Sequence, residues 1–101
     1  MADSSHSDLP LAGFRIIDCS TVLAGPLAAT HLGDFGADVL KVELPTSAPQ
    51  PQRPTRLHEE RNKRSIAIDL RRTEGQELLL ELVRTADALI ENFRPGTFEK
   101  W

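Results

Sequence analysis

Apolar and polar residues alternate along this chain in blocks whose period changes. Phe14-Arg-Ile-Ile-Asp-Cys-Ser20 is a short, mostly apolar run bounded by Gly13 and a polar turn, which predicts a strand. Gly25-Pro26 then opens a predicted helix, since proline's missing N–H would have no intrahelical acceptor at the first helical position. Ala28, Leu32 and Phe35 fall at helical spacing, with Gly36 placed as the left-handed stop. Asp38-Val-Leu-Lys-Val-Glu43 reads as a second strand, alternating but mostly apolar. Residues 44–62 hold four prolines and no periodicity, which predicts a long loop. Arg64-Ser-Ile-Ala-Ile-Asp-Leu70 is a third strand. Thr73 and Gln76 have the spacing of a capping box, ahead of a helix with Leu79, Leu82, Val83 and Ala86 on one face. Glu77, Glu81 and Arg84 lie largely opposite. Asp87-Ala-Leu-Ile-Glu91 is a fourth strand, and Pro95 is placed to start another helix.

Strands alternating with helices imply crossover units. The expected fold class is α/β, a mainly parallel sheet with flanking helices. No Gly-x-Gly-x-x-Gly follows a strand and no Gly-Lys-Ser/Thr is present, so nicotinamide and nucleoside-triphosphate sites of those kinds have no motif support. There is no internal repeat. With 101 residues the chain holds one small domain at most. Residues 1–10 are polar and acidic and read as a disordered tail, with the domain occupying 11–101. The start has no basic n-region and no apolar core of a secretory signal, and no run approaches the ~20 apolar residues of a membrane span. A cytoplasmic setting is expected. Cys19 is the single cysteine, which excludes an internal disulfide.

Charge sharpens this picture. Residues 1–50 carry two basic and six acidic side chains, whereas 53–72 carry seven basic and three acidic. That positive region suits a phosphorylated small molecule, or simply a solvated arginine-rich loop. Nucleic acid fits less well, because the whole chain has a net charge of −3 and no aromatic-studded basic stripe.

Three places are candidates for chemistry. Ser20-Thr-Val-Leu-Ala-Gly-Pro26 leads from a strand into a helix amino terminus, where backbone N–H groups can hold an anion or carbonyl oxygen. There Gly25 allows close approach of a ligand to the backbone, although the pattern by itself favours a plain strand-to-helix turn. Arg71 stands at the carboxyl end of the third strand, where ligands of parallel sheets bind, and is preferred over Arg64. Asn92-Phe-Arg-Pro-Gly96 sets an amide, an aromatic ring and a guanidinium at the end of the fourth strand. His6, His31 and His58 show no ligand spacing, and no metal is expected. Cys19 lacks an evident base and reads as a buried small side chain. No carboxylate is marked as a general base or nucleophile.

Five stretches in order resemble the amino-terminal region of the family III CoA-transferases of the CaiB/BaiF type. They are Leu11–Asp18, Leu23-Ala-Gly-Pro26, Leu32–Glu43, Asn62–Leu70 and Glu91-Asn-Phe-Arg-Pro-Gly96. That group includes formyl-CoA:oxalate transferase, the carnitine CoA-transferases and α-methylacyl-CoA racemase. The resemblance runs from about Leu11 to Trp101 and implies the amino-terminal part of a larger, Rossmann-like fold. It implies transfer of CoA between carboxylic acids through an acyl anhydride and an aspartyl-CoA thioester. It also implies an intertwined homodimer. Family contacts to CoA map onto Leu23, Ala24, Ile68, Asp69, Leu70, Arg71, Asn92, Phe93, Arg94 and Lys100. Phe93 is placed to pack the adenine. Leu23 stands where the formyl-CoA enzyme has a glutamine, and Leu44 where many members place an arginine. The family's catalytic aspartate falls beyond Trp101, so no residue here is assigned as catalytic, and the chain alone is expected to be inactive. The alternatives are a racemase of the same superfamily and a stand-alone CoA-binding module or inactive remnant.

Overall fold

The computed structural model describes residues 8–21, 24–45 and 61–100. Its strands are β1 (Arg15–Asp18), β2 (Asp38–Glu43), β3 (Lys63–Ala67) and β4 (Ala88–Ile90). Its helices are α1 (Ala24–Asp34) and α2 (Thr73–Arg84), with a short 3-10 turn at Phe98–Lys100. All strands pair in parallel, in the order β3-β2-β1-β4. The α/β reading is therefore borne out. The order reverses at β1: β2 and β3 build outward on one side, and β4 returns to the other. That leaves a switch point between the carboxyl ends of β1 and β4, where open parallel sheets bind ligands.

Side-chain alternation sends residues to two faces. Ile16 and Val39, opposite each other in register, join Ala29 and Ala37 in a cluster under α1. Ile17 and Leu40, the next pair, join Cys19, Val42, Ile68, Leu70 and Leu79 in the larger cluster under α2. Burying both sheet faces explains why β1 and β2 read as nearly continuous apolar runs. The predicted face of α2 is also borne out: Leu79 is buried, and Leu82, Val83 and Ala86 pack on the same cluster.

Several local expectations are corrected. The buried residues of α1 are Pro26, Ala29, Thr30 and Gly33. Ala28 is exposed, Leu32 only partly buried, and Phe35 is 54% exposed. Small side chains let this helix lie close to the sheet, so its contact stripe is marked by size rather than by large apolar residues. Proline falls at the third residue of α1, not the first. The capping box does not form: Arg72 is the N-cap of α2, with no side-chain cap bond, and Thr73 is already helical. Gln76 instead donates from Nε2 to the Leu70 carbonyl at 3.0 Å. After Pro95 the backbone makes a turn and a three-residue 3-10 helix in place of an α-helix start. Most of the 44–62 loop and the first seven residues of the tail lie outside the described residues. From Asp8 onward the chain is turned back on α1, Leu11 donating its N–H to the Phe35 carbonyl at 2.8 Å.

Candidate functional site at the carboxyl edge of the sheet

The β1–α1 loop is held at several points. Asp18, the last residue of β1, is fully buried. Its Oδ1 accepts the Ser20 N–H at 2.9 Å and also the Ser20 hydroxyl. Its Oδ2 accepts from Lys63 Nζ at 2.7 Å. Lys63 also donates to the Pro26 carbonyl at 2.9 Å, and Lys41 donates to the Ser20 carbonyl at 2.5 Å. These charges share one face because of register. Asp18 lies two residues beyond Ile16, Lys41 two beyond Val39, and Lys63 directly opposite Val39. All three therefore stand on the α1 side, where alternation alone calls for apolar groups.

Gly25 fits this loop because of its own packing. A Cβ there would stand 2.6 Å from Ser20 Oγ and closer still to Ser20 Cβ. The close approach expected of a ligand is thus made by Ser20, with Asn92 Nδ2 3.5 Å away on the other side.

Across the switch point, Asn92 acts as a side-chain strand partner. Its Oδ1 accepts the Thr21 N–H at 2.9 Å, and its Nδ2 donates to the Thr21 carbonyl at 2.5 Å. The neighbouring Cys19 N–H donates to the Ile90 carbonyl at 2.8 Å, so β1 and β4 stay joined past their ends. Ala24, an expected contact, is exposed at the start of α1; Leu23 lies outside the described residues.

The second group of expected residues follows β3. Ile68 and Leu70 are buried in the core, so what they present outward is backbone. Asp69 accepts from the Arg71 N–H and from Arg71 Nε, each at 3.0 Å. That hydrogen bonding holds the Asp69 carboxyl below its ordinary pKa and raises that of Arg71. The Arg71 side chain nonetheless remains 69% exposed. Arg64, the less favoured arginine, forms a bidentate pair with Asp38 at the amino end of the sheet.

β3 and β4 are the two outer strands, yet the segments that follow them meet. Phe93 leaves β4 half-buried and stacks on Phe98, ring centroids 5.9 Å apart and planes at 14°. Phe98 in turn lines a groove of ≈ 210 Å³ with Leu70, Gln76, Leu79 and Leu80. The closing turn that carries Lys100 is thereby brought beside α2, on the side of Leu70. Arg94 and Lys100 are exposed, and among the described residues neither makes an ion pair. Among the described residues no group of three or more His, Cys, Asp or Glu could hold a metal ion. No helix there is long and apolar enough to cross a membrane.

Cys19 is buried beside Asp18. Burial first, and the Asp18 charge second, push its thiol up to about 12, the opposite of what a nucleophile needs. The Asp18–Lys41–Lys63 group was not anticipated from the sequence. The available signal was Lys41 inside an otherwise apolar strand.

The model of CoA-transferase family III matches residues 11–101, and the chain belongs to that family. The β subunit of succinyl-CoA–L-malate CoA-transferase from Chloroflexus aurantiacus is 50% identical, over 98% of this chain and 27% of that protein. The succinate–glutarate CoA-transferase of Agrobacterium fabrum is 41% identical, over 100% of this chain and 29% of that protein. Among solved structures, the hypothetical protein Rv3272 from Mycobacterium tuberculosis superposes with a TM-score of 0.80 at 41% identity, covering 91% of this chain and 27% of that one. The chain thus spans about a quarter of the length of these relatives.

Proposed function

We propose that this chain is the CoA-binding amino-terminal portion of an acyl-CoA:carboxylate CoA-transferase. The observation that carries the reading is the convergence of the β1–α1 loop, the β3–α2 turn and the Asn92–Gly96 segment at the carboxyl side of one parallel sheet. Family membership and three CoA-transferase activities among the relatives' names support it. In this reading the phosphates of CoA meet Arg71, Arg94 and Lys100, which stand exposed at that edge, while Phe93 and Phe98 offer an aromatic surface to the adenine. Ala24, exposed at the start of α1, borders the thioester end.

Asp18 is not the nucleophile. It is fully buried and already committed to two lysines and Ser20. The nucleophilic aspartate is supplied by sequence beyond Trp101. Its carboxylate displaces CoA from the donor acyl group to form a mixed anhydride. The released thiolate then attacks the aspartyl carbonyl, giving the aspartyl-CoA thioester and the free donor acid. The acceptor carboxylate takes the CoA by the reverse steps. The active form is a cytoplasmic homodimer. Since several relatives are named for succinyl-CoA and C4–C5 dicarboxylates, succinyl-CoA with malate or glutarate is the first pair to assay.

The test has two arms. Calorimetric titration of CoA into the 101-residue chain and into the full-length protein measures binding. Exchange of isotopic label between succinyl-CoA and a dicarboxylate measures transfer. Binding by both, with exchange by the full-length protein alone, is expected. Absence of CoA binding in the full-length protein would refute the reading.

A further inference from the structure

We propose that Asp18, Lys41 and Lys63 are positioning residues that fix the two ends of the β1–α1 loop, at Ser20 and at Pro26 in the first turn of α1, for ligand binding. This deepens the reading above and rests on it, because the loop matters only if it borders the acyl-CoA site. The geometry is convergent. Each strand, or the segment just past its end, sends one polar side chain to the loop or to the first turn of α1: Asp18 from β1, Lys41 from β2, Lys63 from β3 and Asn92 from beyond β4. Together they hold the N–H and C=O of Ser20, the N–H and C=O of Thr21, and the C=O of Pro26.

The burial of these charges is what calls for a role. Side-chain exposure is 0% for Asp18, 1% for Lys63 and 8% for Lys41. Removing three charges from water is costly even when they are paired, and apolar side chains of similar volume would fill such a space at less expense in free energy. What apolar residues could not do is hold the backbone groups of Ser20 and the Pro26 carbonyl in the first turn of α1. Buried charge here fixes the two ends of the connection, so that neither Ser20 nor Pro26 has to be ordered when the ligand arrives.

The test uses the full-length protein and two readouts. Lys63→Met removes the link between Asp18 and Pro26. Ser20→Ala, a milder change, removes only the hydroxyl bond to Asp18 and keeps the measurement available if the first variant does not fold. Amide hydrogen exchange without ligand should quicken at Ser20 and Thr21 and in the first turn of α1, and stay unchanged across α2. The KM for acyl-CoA should rise roughly tenfold in Lys63→Met, the scale of one charge-assisted hydrogen bond, with the KM for the carboxylate acceptor unchanged. Ser20→Ala should shift both readouts in the same direction by less. If exchange in the loop does not change, or if kcat falls with both KM values intact, the proposal is overturned. A wild-type protein that binds no CoA would sink the functional reading instead, while the exchange data would still decide whether the network holds the loop.

Discussion

Replacing Gly25 by alanine separates two effects of opposite sign. Gly25 lies in the first turn of α1. In a helix, alanine is favoured over glycine by roughly 0.5–1 kcal/mol, because glycine loses more backbone entropy on folding. The new Cβ, however, would stand 2.6 Å from Ser20 Oγ, well inside the 3.4–4 Å of ordinary contact. Something must move by about 1 Å, and overpacking of that kind costs roughly 1–3 kcal/mol. Ser20 cannot yield easily, since Asp18 holds its N–H and hydroxyl and Lys41 its carbonyl. The steric effect therefore wins, and Gly25→Ala should destabilise by about 1–2 kcal/mol. Urea unfolding would show this as a midpoint lowered by roughly 1 M at an ordinary m-value. The decisive comparison is the double variant. In a Ser20→Gly background the obstructing atoms are gone, and Gly25→Ala should become neutral or stabilising, a coupling of roughly 1 kcal/mol or more. A wild-type midpoint for the single variant, or equal costs in the two backgrounds, would refute the packing argument and return Gly25 to the role of a ligand-approach residue.

Three further outcomes follow from the same structure. Cys19 has its pKa raised from 9.0 to about 12 by burial and Asp18. The folded state keeps its proton where the unfolded state loses it, so stability is full below pH 9 and declines as pH rises from 9.0 to about 12. Cys19→Ala should flatten that alkaline slope in thermal melts, and an unchanged slope would assign it to another group. Arg71→Ala should weaken CoA binding about tenfold in calorimetry, the loss of one charge-assisted phosphate contact, while NMR titration shows the Asp69 carboxyl rising toward its ordinary value. Unchanged affinity would remove Arg71 from the site. Leu79→Ala, at a position 6% exposed within the α2 cluster, should cost about 2–5 kcal/mol in denaturant unfolding. A smaller cost would mean that the groove beside Leu79 collapses to fill the space.

The parts of this fold that were legible in the sequence are those in which one period dominates. β2 was bounded to the residue because Asp38–Glu43 lies between a helix-ending glycine and a proline-rich stretch. The inward face of α2 was plain because Leu79, Leu82, Val83 and Ala86 repeat with a helical period against acidic neighbours. α1 was read less well. Its buried stripe is made of proline, alanine, threonine and glycine, and hydrophobic patterning follows size and greasiness, whereas a helix that must sit close to a sheet selects smallness. The candidate ligand residues came from resemblance and from their place at strand ends. The supporting network did not, because Asp18, Lys41 and Lys63 are separated by more than twenty residues each and look like solvated charges until the register aligns them.

That register also explains how charge is partitioned across the sheet. At the amino ends of the strands, cations are consumed locally: Arg15 and Arg64 pair with Asp38, and Arg61 pairs with Asp34 at the foot of α1. In the interior, Lys41 and Lys63 are drawn to Asp18. At the carboxyl edge the balance differs. Asp69 takes one arginine, which stays largely exposed, and Glu91 accepts the Phe93 N–H. Arg94 and Lys100 stand in solvent beside an aromatic pair. Exposed ion pairs contribute little to stability, so the folding free energy changes hardly at all if these cations are recruited elsewhere. The arginines at the amino ends are thus tied to aspartates, whereas Arg94 and Lys100 at the carboxyl edge make no ion pair among the described residues. That edge also holds the switch point between β1 and β4, so under the proposed function the CoA phosphates would meet cations that the fold does not need for its own stability.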